Sequence, residues 1–225
     1  MTVFGKLLSE AIGTFAIVVI GVGSVCSNAE PGVGFGLVGI AITFGLVVAM
    51  MVATLGHISG AHINPAFTVV AVALRHTHPA MGVAYILAQV FGATTGAMLL
   101  RAFFSPEILE RVAGGTTRLG LGVSPVLGFT IEAVLTFFLI LVVFGAAIDE
   151  KGSKVGAVAI GGIVAALVLM GAPLTGTSMN PARSIGPAIV FNQWQDHWVY
   201  WAGPIVGALV AGFTYEYLLK RKTAT

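Results

Sequence analysis

The tripeptide Asn-Pro-Ala occurs twice in this chain, each time inside a long apolar stretch. In each copy, a residue suited to cap a helix N-terminus precedes a proline suited to the first helical position. A helix that begins inside a membrane needs its unpaired backbone N–H groups satisfied or facing water. Two such beginnings therefore predict a water-lined path into which two short helices point. The two motifs are Asn64-Pro65-Ala66 and Asn180-Pro181-Ala182.

The composition places both motifs in a membrane. Hydrophobic residues make up 57% of the chain and charged residues only 9%, and the mean hydropathy is +0.98, whereas a soluble domain carries about 25% charged residues. Six apolar windows reach the roughly 20 residues that span a bilayer, and two segments that follow the motifs are too short. The spans are predicted near 6–27, 35–56, 81–102, 126–148, 155–172 and 198–219, and the short segments near 65–75 and 181–191.

Three landmarks repeat in the same order in the two halves of the chain. They are Glu10-Ala11-x-x-Thr14-Phe15 with Glu132-Ala133-x-x-Thr136-Phe137, Asn64 with Asn180, and Tyr85 with Tyr200, at separations of 122, 116 and 115 residues. Because each half holds three spans, the halves insert in opposite directions. We therefore predict an all-α membrane protein with six transmembrane helices and two re-entrant half-helices in an inverted 3+3 repeat. We expect a single channel domain over 1–225, with halves near 1–115 and 116–225.

The basic residues predict the orientation in the membrane. Seven fall on one side of the predicted spans and three on the other, once Arg183 is discounted because it lies within a membrane-inserted segment. The first group is Lys6, Arg75, Lys151, Lys154, Lys220, Arg221 and Lys222, and the second is Arg101, Arg111 and Arg118. The side richer in Lys and Arg is cytoplasmic as a rule. We therefore predict a multi-pass protein with both termini cytoplasmic. Short loops without a glycosylation sequon favour a prokaryotic plasma (inner) membrane.

Several function classes lack support in the sequence. The net charge of +2, with no basic run interleaved with aromatic residues, argues against a nucleic-acid partner. No nucleophile–base pattern, phosphate-binding loop or metal-ligand spacing is found among the Ser, His and Cys residues. We therefore predict that the protein is not an enzyme and binds neither a cofactor nor a metal.

The extended motifs resemble those of the aquaporin, or major intrinsic protein, family in its bacterial type. They are Gly60-Ala61-His62-Ile63-Asn64-Pro65-Ala66 and Gly176-Thr177-Ser178-Met179-Asn180-Pro181-Ala182-Arg183-Ser184. The resemblance covers essentially the full chain. It implies an aquaporin-like fold with a pore in each protomer, a passive path for water with small neutral solutes as a second class of permeant, and a homotetramer in the lipid bilayer.

Asn64, Asn180 and Arg183 are the predicted polar groups of the pore. The two asparagines would offer side-chain N–H donors where the half-helices meet, so that a water oxygen is held while its hydrogens point along the pore. Each helix N-terminus adds roughly half a positive charge, which opposes cations, as is general for aquaporin-type pores. An arginine in a membrane segment costs about 3 kcal/mol on insertion scales unless it faces water. In the resembled family, the matching arginine forms the narrowest filter.

The other predicted filter residues are matched by their spacing to that family. Phe44 matches the aromatic position on the second span, and Thr177 matches a position on the second re-entrant loop. Val168 falls where strict water channels carry histidine, and valine should make the constriction wider and more apolar. Valine here resembles plant members that admit glycerol and small uncharged hydroxides, whereas Phe44 resembles the water channels. A facilitator of glycerol, urea or uncharged metalloid acids therefore stays open as the alternative.

Glu10, Glu132 and His62 allow two interpretations. Carboxyl groups within spans are functional candidates, including proton relays, and a cation-coupled secondary transporter would use them during alternating access. In the simpler interpretation, each glutamate accepts hydrogen bonds from a re-entrant loop, and one glutamate per half favours this structural role. The resemblance also assigns the glutamates to loop support. His62, two residues before Asn64, is predicted to pack the first loop.

Overall fold

The computed structural model describes residues 1–152 and 155–220, and its regular elements in these ranges are helices. Six of them are long and apolar enough to cross a membrane, which confirms the predicted number of spans. They are Val3–Asn28, Gly36–Ser59, Pro79–Phe103, Pro125–Ile148, Gly156–Thr175 and Val199–Leu219. The predicted windows end within about three residues of these limits. Lys154, Arg221 and Lys222, which contributed to the predicted orientation, lie outside the described residues.

Two short helices follow the Asn-Pro-Ala asparagines. The first half-helix is Pro65–Ala73, with nine residues, and the second is Pro181–Phe191, with eleven. At 1.5 Å per residue they are about 14 and 17 Å long, roughly half of a hydrocarbon core about 30 Å thick. Each half-helix is therefore too short to cross the membrane, as the sequence predicted.

The packing of the helices follows the inverted repeat. The first span packs against the third, and the fourth packs in the same way against the sixth. The second and fifth spans pack against each other across the two halves. The half-helices are exchanged: the first contacts the sixth span, and the second contacts the third span. Through this exchange, each half-helix packs against a span of the opposite half of the chain.

Glycines allow the tightest of these crossings. A Cβ on Gly92 would lie 2.0 Å from the carbonyl oxygen of Ala11, and a Cβ on Gly207 would lie 2.1 Å from that of Ala133. The two contacts occupy equivalent places in the two halves. Neither crossing leaves room for a side chain, so the backbones of these spans pack directly against each other.

Some elements have no counterpart in the predicted pattern. Three spans contain π-helical turns, at Ile17–Val22, Phe144–Ile148 and Tyr215–Leu219. A short helix, Pro106–Arg111, follows the third span and begins at a Ser105 cap. A π-helical turn cannot be predicted from a uniformly apolar sequence, because the turn inserts one residue without changing the hydrophobic pattern.

Candidate pore and its constriction

Each motif asparagine caps its own half-helix. Asn64 Oδ1 accepts a hydrogen bond from the Ala66 N–H at 2.9 Å, and Asn180 Oδ1 accepts one from the Ala182 N–H at 3.0 Å. A proline occupies the first position of both helices, where a missing N–H costs nothing. The motif thus resolves the capping problem that a helix start inside a membrane creates.

Each asparagine also braces the opposite loop. Asn64 Nδ2 donates to the Met179 carbonyl oxygen at 2.8 Å, and Asn180 Nδ2 donates to the Ile63 carbonyl oxygen at 2.8 Å. One hydrogen of each Nδ2 is therefore committed to the protein, a partner that the sequence did not predict. The other hydrogen remains, because a carboxamide carries two. The paired bonds hold the two N-termini against each other.

The two loops share an unusual backbone conformation. Ala61 and Ile63 have φ of 44° and 42°, and Thr177 and Met179, at equivalent positions, have φ of 45° and 52°. Left-handed non-glycine residues each cost of order 1–3 kcal/mol and persist only where the surroundings hold them. These loops therefore depend on strong hydrogen-bond anchors.

Glu10 anchors the first loop. Its Oε1 accepts hydrogen bonds from Ser59 Oγ at 2.7 Å and the His62 N–H at 2.9 Å. Its Oε2 accepts hydrogen bonds from the Ile63 N–H at 2.6 Å and Gln89 Nε2 at 2.7 Å. All four donors come from buried or partly buried groups, and the carboxylate is fully enclosed.

Glu132 anchors the second loop in the same way. Its Oε1 accepts hydrogen bonds from Thr175 Oγ1 at 2.7 Å and the Ser178 N–H at 2.9 Å, and its Oε2 accepts one from the Met179 N–H at 2.8 Å. It has three donors where Glu10 has four, because Pro204 occupies the position equivalent to Gln89 and has no amide to offer. Glu132 is fully buried, and neither glutamate lines either of the cavities described below. This geometry favours loop support over ion coupling.

His62 belongs to the first loop and packs against its neighbours. Its Nδ1 is 3.1 Å from Thr68 Oγ1, and its ring contacts Phe67 and Tyr85 edge to face, with ring centroids 4.7 and 5.1 Å apart. His62 also lines the larger cavity. Its contacts are those of a packed loop residue whose edge reaches the lumen.

Two tyrosines hold the ends of the spans from which the loops emerge. Tyr85 donates to the Ser59 carbonyl oxygen at 2.9 Å, and Tyr200 donates to the Thr175 carbonyl oxygen at 3.0 Å. From the sequence, the tyrosine pair served as a landmark of the repeat without a role in holding the loops, and no role was predicted for Ser59 and Thr175. The signal was available, because Ser59 and Thr175 are also 116 residues apart and each precedes a loop glycine.

Two cavities, of about 290 and 170 Å³, are each lined by residues from both halves of the chain. The larger cavity is lined by the two motif asparagines, both re-entrant loops and apolar side chains of the second, fourth and fifth spans. Among the residues that the structure describes, four line both cavities. They are Phe44, Val168, Thr177 and Arg183, the four residues predicted as the filter. We call this group the constriction.

The constriction combines one cation and two apolar groups with Thr177, whose hydroxyl is buried. Arg183 Nη1 donates to the Gly115 carbonyl oxygen at 3.0 Å, a partner that the sequence did not reveal. Its Cζ lies 5.2 Å from the centroid of the Phe44 ring, within range of a cation–π contact. Val168 supplies an apolar wall that offers no hydrogen bond. Because Arg183 Nε is buried, the charged donors that remain for a permeant are the other N–H groups on its two Nη atoms.

Comparisons with known proteins agree with this architecture. The family model described as "Major intrinsic protein" matches residues 1–215. Aquaporin-4 of Mus musculus is 40% identical over 220 residues, which cover 96% of this chain and 68% of that protein. Aquaporin-2 of Bos taurus is 41% identical, with coverage of 95% and 78%. Aquaporin TIP4-4 of Zea mays is 40% identical, with coverage of 93% and 84%.

A solved structure shares the same fold. The aquaglyceroporin from Plasmodium falciparum superimposes with a TM-score of 0.85 over 97% of each chain, at 20% sequence identity. The structural likeness supports the aquaporin-like arrangement of six spans and two half-helices. The family model matches nearly the whole sequence, and the chain aligns with most of the length of relatives that are about 40% identical to it. The chain therefore belongs to the major intrinsic protein family.

Proposed function

We propose that the protein is a passive channel that conducts water and excludes ions and protons. The observation that carries this proposal is the junction of the two half-helices, where two capped and mutually braced N-termini face a cavity inside a membrane-spanning fold. This junction combines hydrogen-bond donors with positive helix ends, and among the described residues no carboxylate lines the cavity. A passive channel, rather than an enzyme, is the activity that it supports.

Water would pass the junction in single file with its oxygen toward Asn64 and Asn180. Each asparagine retains one Nδ2 hydrogen beyond the bond that braces the opposite loop. A water that accepts from both amides has only its hydrogens left to donate along the axis, and these point away from the centre on either side. This orientation interrupts the chain of donors and acceptors that a proton needs. The two helix dipoles also raise the energy of a cation at this point.

The constriction would select the solute. Arg183 repels cations and donates to the oxygens of a permeant, while Phe44 and Val168 form an apolar wall against its carbon atoms. A second candidate function is therefore facilitated passage of glycerol, urea or a neutral metalloid acid. The observation that favours it is Val168, because the residue lines both cavities with an apolar side chain. A histidine there would donate to the solute and narrow the path.

We also propose the setting in which the channel works. The excess of basic residues on one side supports cytoplasmic termini, and the short loops support a plasma (inner) membrane. The family resemblance supports a homotetramer, and large apolar side chains such as Phe91, Leu87 and Leu46 are exposed on the single chain. These side chains would face lipid or neighbouring protomers.

Stopped-flow light scattering of proteoliposomes tests the proposal. We expect water permeability well above that of protein-free vesicles, with a low activation energy. Glycerol and urea gradients applied to the same vesicles distinguish the two candidate functions, because a strict water channel leaves their uptake at the level of bare lipid. Water permeability equal to that of protein-free vesicles, with folded protein present, would refute the channel.

A further inference from the structure

The Phe44 ring of the constriction rests on a glycine of the first span. A Cβ built on Gly21 would lie 2.7 Å from Phe44 Cε1, 2.8 Å from Cδ1 and 3.2 Å from Cζ. Packed carbon atoms prefer separations of about 3.5–4.0 Å. The aromatic ring therefore occupies the space that any side chain at position 21 would need.

Gly21 also lies in an irregular part of its helix. It belongs to the π-helical turn Ile17–Val22, which interrupts the α-helical first span. Turns of this kind are rare and frequently occur at functional sites. Glycine is also among the weakest helix formers, so neither the turn nor the glycine is what a simple apolar span requires. Both features occur where the span meets Phe44.

The position of this ring affects the width of the constriction. Phe44 lines both cavities, and its ring centroid is 5.2 Å from the Arg183 guanidinium carbon. Phe44 is also 6% exposed, so its remaining sides are packed. A ring that is pushed from the Gly21 side has its free space only in the lumen. A small displacement therefore narrows the path between Phe44 and Arg183.

We propose that Gly21 is a positioning residue for selectivity, because the π-helical turn that contains it seats the Phe44 ring and so sets the width of the constriction. This inference rests on the proposed channel function. Gly21 does not line either cavity and acts only through Phe44. The proposal thus adds a determinant of permeation outside the pore lining.

The test is a double-substitution cycle with Gly21→Ala and Phe44→Ala. Gly162→Ala is the matched control, because a Cβ on Gly162 would have no atom within 4 Å and the residue lies on the exposed side of the fifth span. We expect Gly21→Ala to lower the water permeability per channel about threefold and glycerol uptake, where present, more strongly, since pore diameter governs passage. Gly162→Ala should match the parent protein.

The Phe44→Ala background separates positioning from a general packing defect. With the ring removed, Gly21→Ala should cause no loss of permeability. Parent-like permeability of Gly21→Ala would overturn the proposal, and so would an equal loss in the presence and absence of Phe44. A failure of Gly21→Ala to fold supports the proposal only if the double variant folds and conducts like Phe44→Ala, and otherwise contradicts it.

Thermal unfolding in detergent provides a readout that does not depend on conduction. We expect Gly21→Ala to lower the unfolding midpoint in the parent and to leave it unchanged in the Phe44→Ala background. Additive effects of the two substitutions on the unfolding midpoint would overturn the proposal that Gly21 positions the Phe44 ring. If the parent chain conducts neither water nor glycerol, the proposed function fails. The unfolding measurement still decides whether Gly21 positions the Phe44 ring.

Discussion

Val168 gives the constriction its apolar character at the scale of single residues. It is one of the four side chains shared by the two cavities, and it is 4% exposed. Of the other three members, Arg183 offers a cation and Phe44 an aromatic ring, while the Thr177 hydroxyl is buried. Because valine makes no hydrogen bond, a solute that passes it loses water contacts there without replacement. This loss is smallest for a solute with carbon atoms on that side.

Val168→His should therefore shift selectivity toward water. An imidazole fills part of the path and adds a donor, so we expect glycerol uptake to fall about tenfold, the size of effect that one or two carbon atoms produce in a fitted site. Water permeability should stay near that of the parent. Stopped-flow traces for both solutes measure the two rates.

Val168→Leu is the control for this substitution, because it adds bulk without polarity. We expect it to reduce glycerol uptake as well, but to reduce water permeability more than Val168→His does. Unchanged glycerol or urea flux in Val168→His, given measurable flux in the parent, would contradict the assignment of Val168 to the constriction.

The sequence alone predicts the roles of some polar residues but not of others. Asn64, Asn180 and Arg183 stood out because polar and charged groups are costly within membrane segments. Ser59 and Thr175 did not, since a hydroxyl near a helix end is common and has many explanations. Gly115 contributes only its carbonyl to Arg183, and a backbone contact across 68 residues leaves no mark on composition.

The crossing of the second and fifth spans shows how the elements are held together. A Cβ on Gly45 would lie 2.5 Å from the Gly161 carbonyl oxygen, and a Cβ on Gly161 would lie 2.4 Å from the Gly45 carbonyl oxygen. The obstacle in each direction is backbone, which cannot rotate away as a side chain can. This crossing joins the two halves of the chain.

Gly161→Ala should therefore destabilise the protein, although alanine favours helix formation. We expect a loss of about 2 kcal/mol from overpacking, seen as a lower unfolding midpoint in detergent. Gly162→Ala, one residue away, should be neutral or stabilising by up to about 1 kcal/mol, because only helix propensity changes there. Equal midpoints for the two variants would contradict the close crossing.

The spans and half-helices could be predicted because their signals are long and periodic. Twenty apolar residues mark a span, and Asn-Pro marks each half-helix start. The π-helical turns at Ile17–Val22 and Phe144–Ile148 could not be predicted, since local sequence there is as apolar as elsewhere. Their position depends on what the helix packs against, which a single sequence does not contain.

The architecture of the whole molecule follows from its two halves, which run in opposite directions. Equivalent anchors, Glu10 and Glu132, hold equivalent strained loops, and the two half-helices meet through reciprocal asparagine bonds. The asymmetries are local: Gln89 is replaced by Pro204, and Arg183 is present in one half only. Both halves thus contribute to the barrier against ions, while one half supplies the charged member of the constriction.

Proton flux through the reconstituted protein tests this account most directly. Vesicles that contain a pH-sensitive dye receive a pH gradient, with potassium and valinomycin clamping the membrane potential, in the same preparation that shows raised water permeability. We predict that proton flux equals that of protein-free vesicles at every protein density. Proton flux that rises with protein content, or solute uptake that follows the gradient, would contradict a passive pore and favour a transporter that uses Glu10 and Glu132.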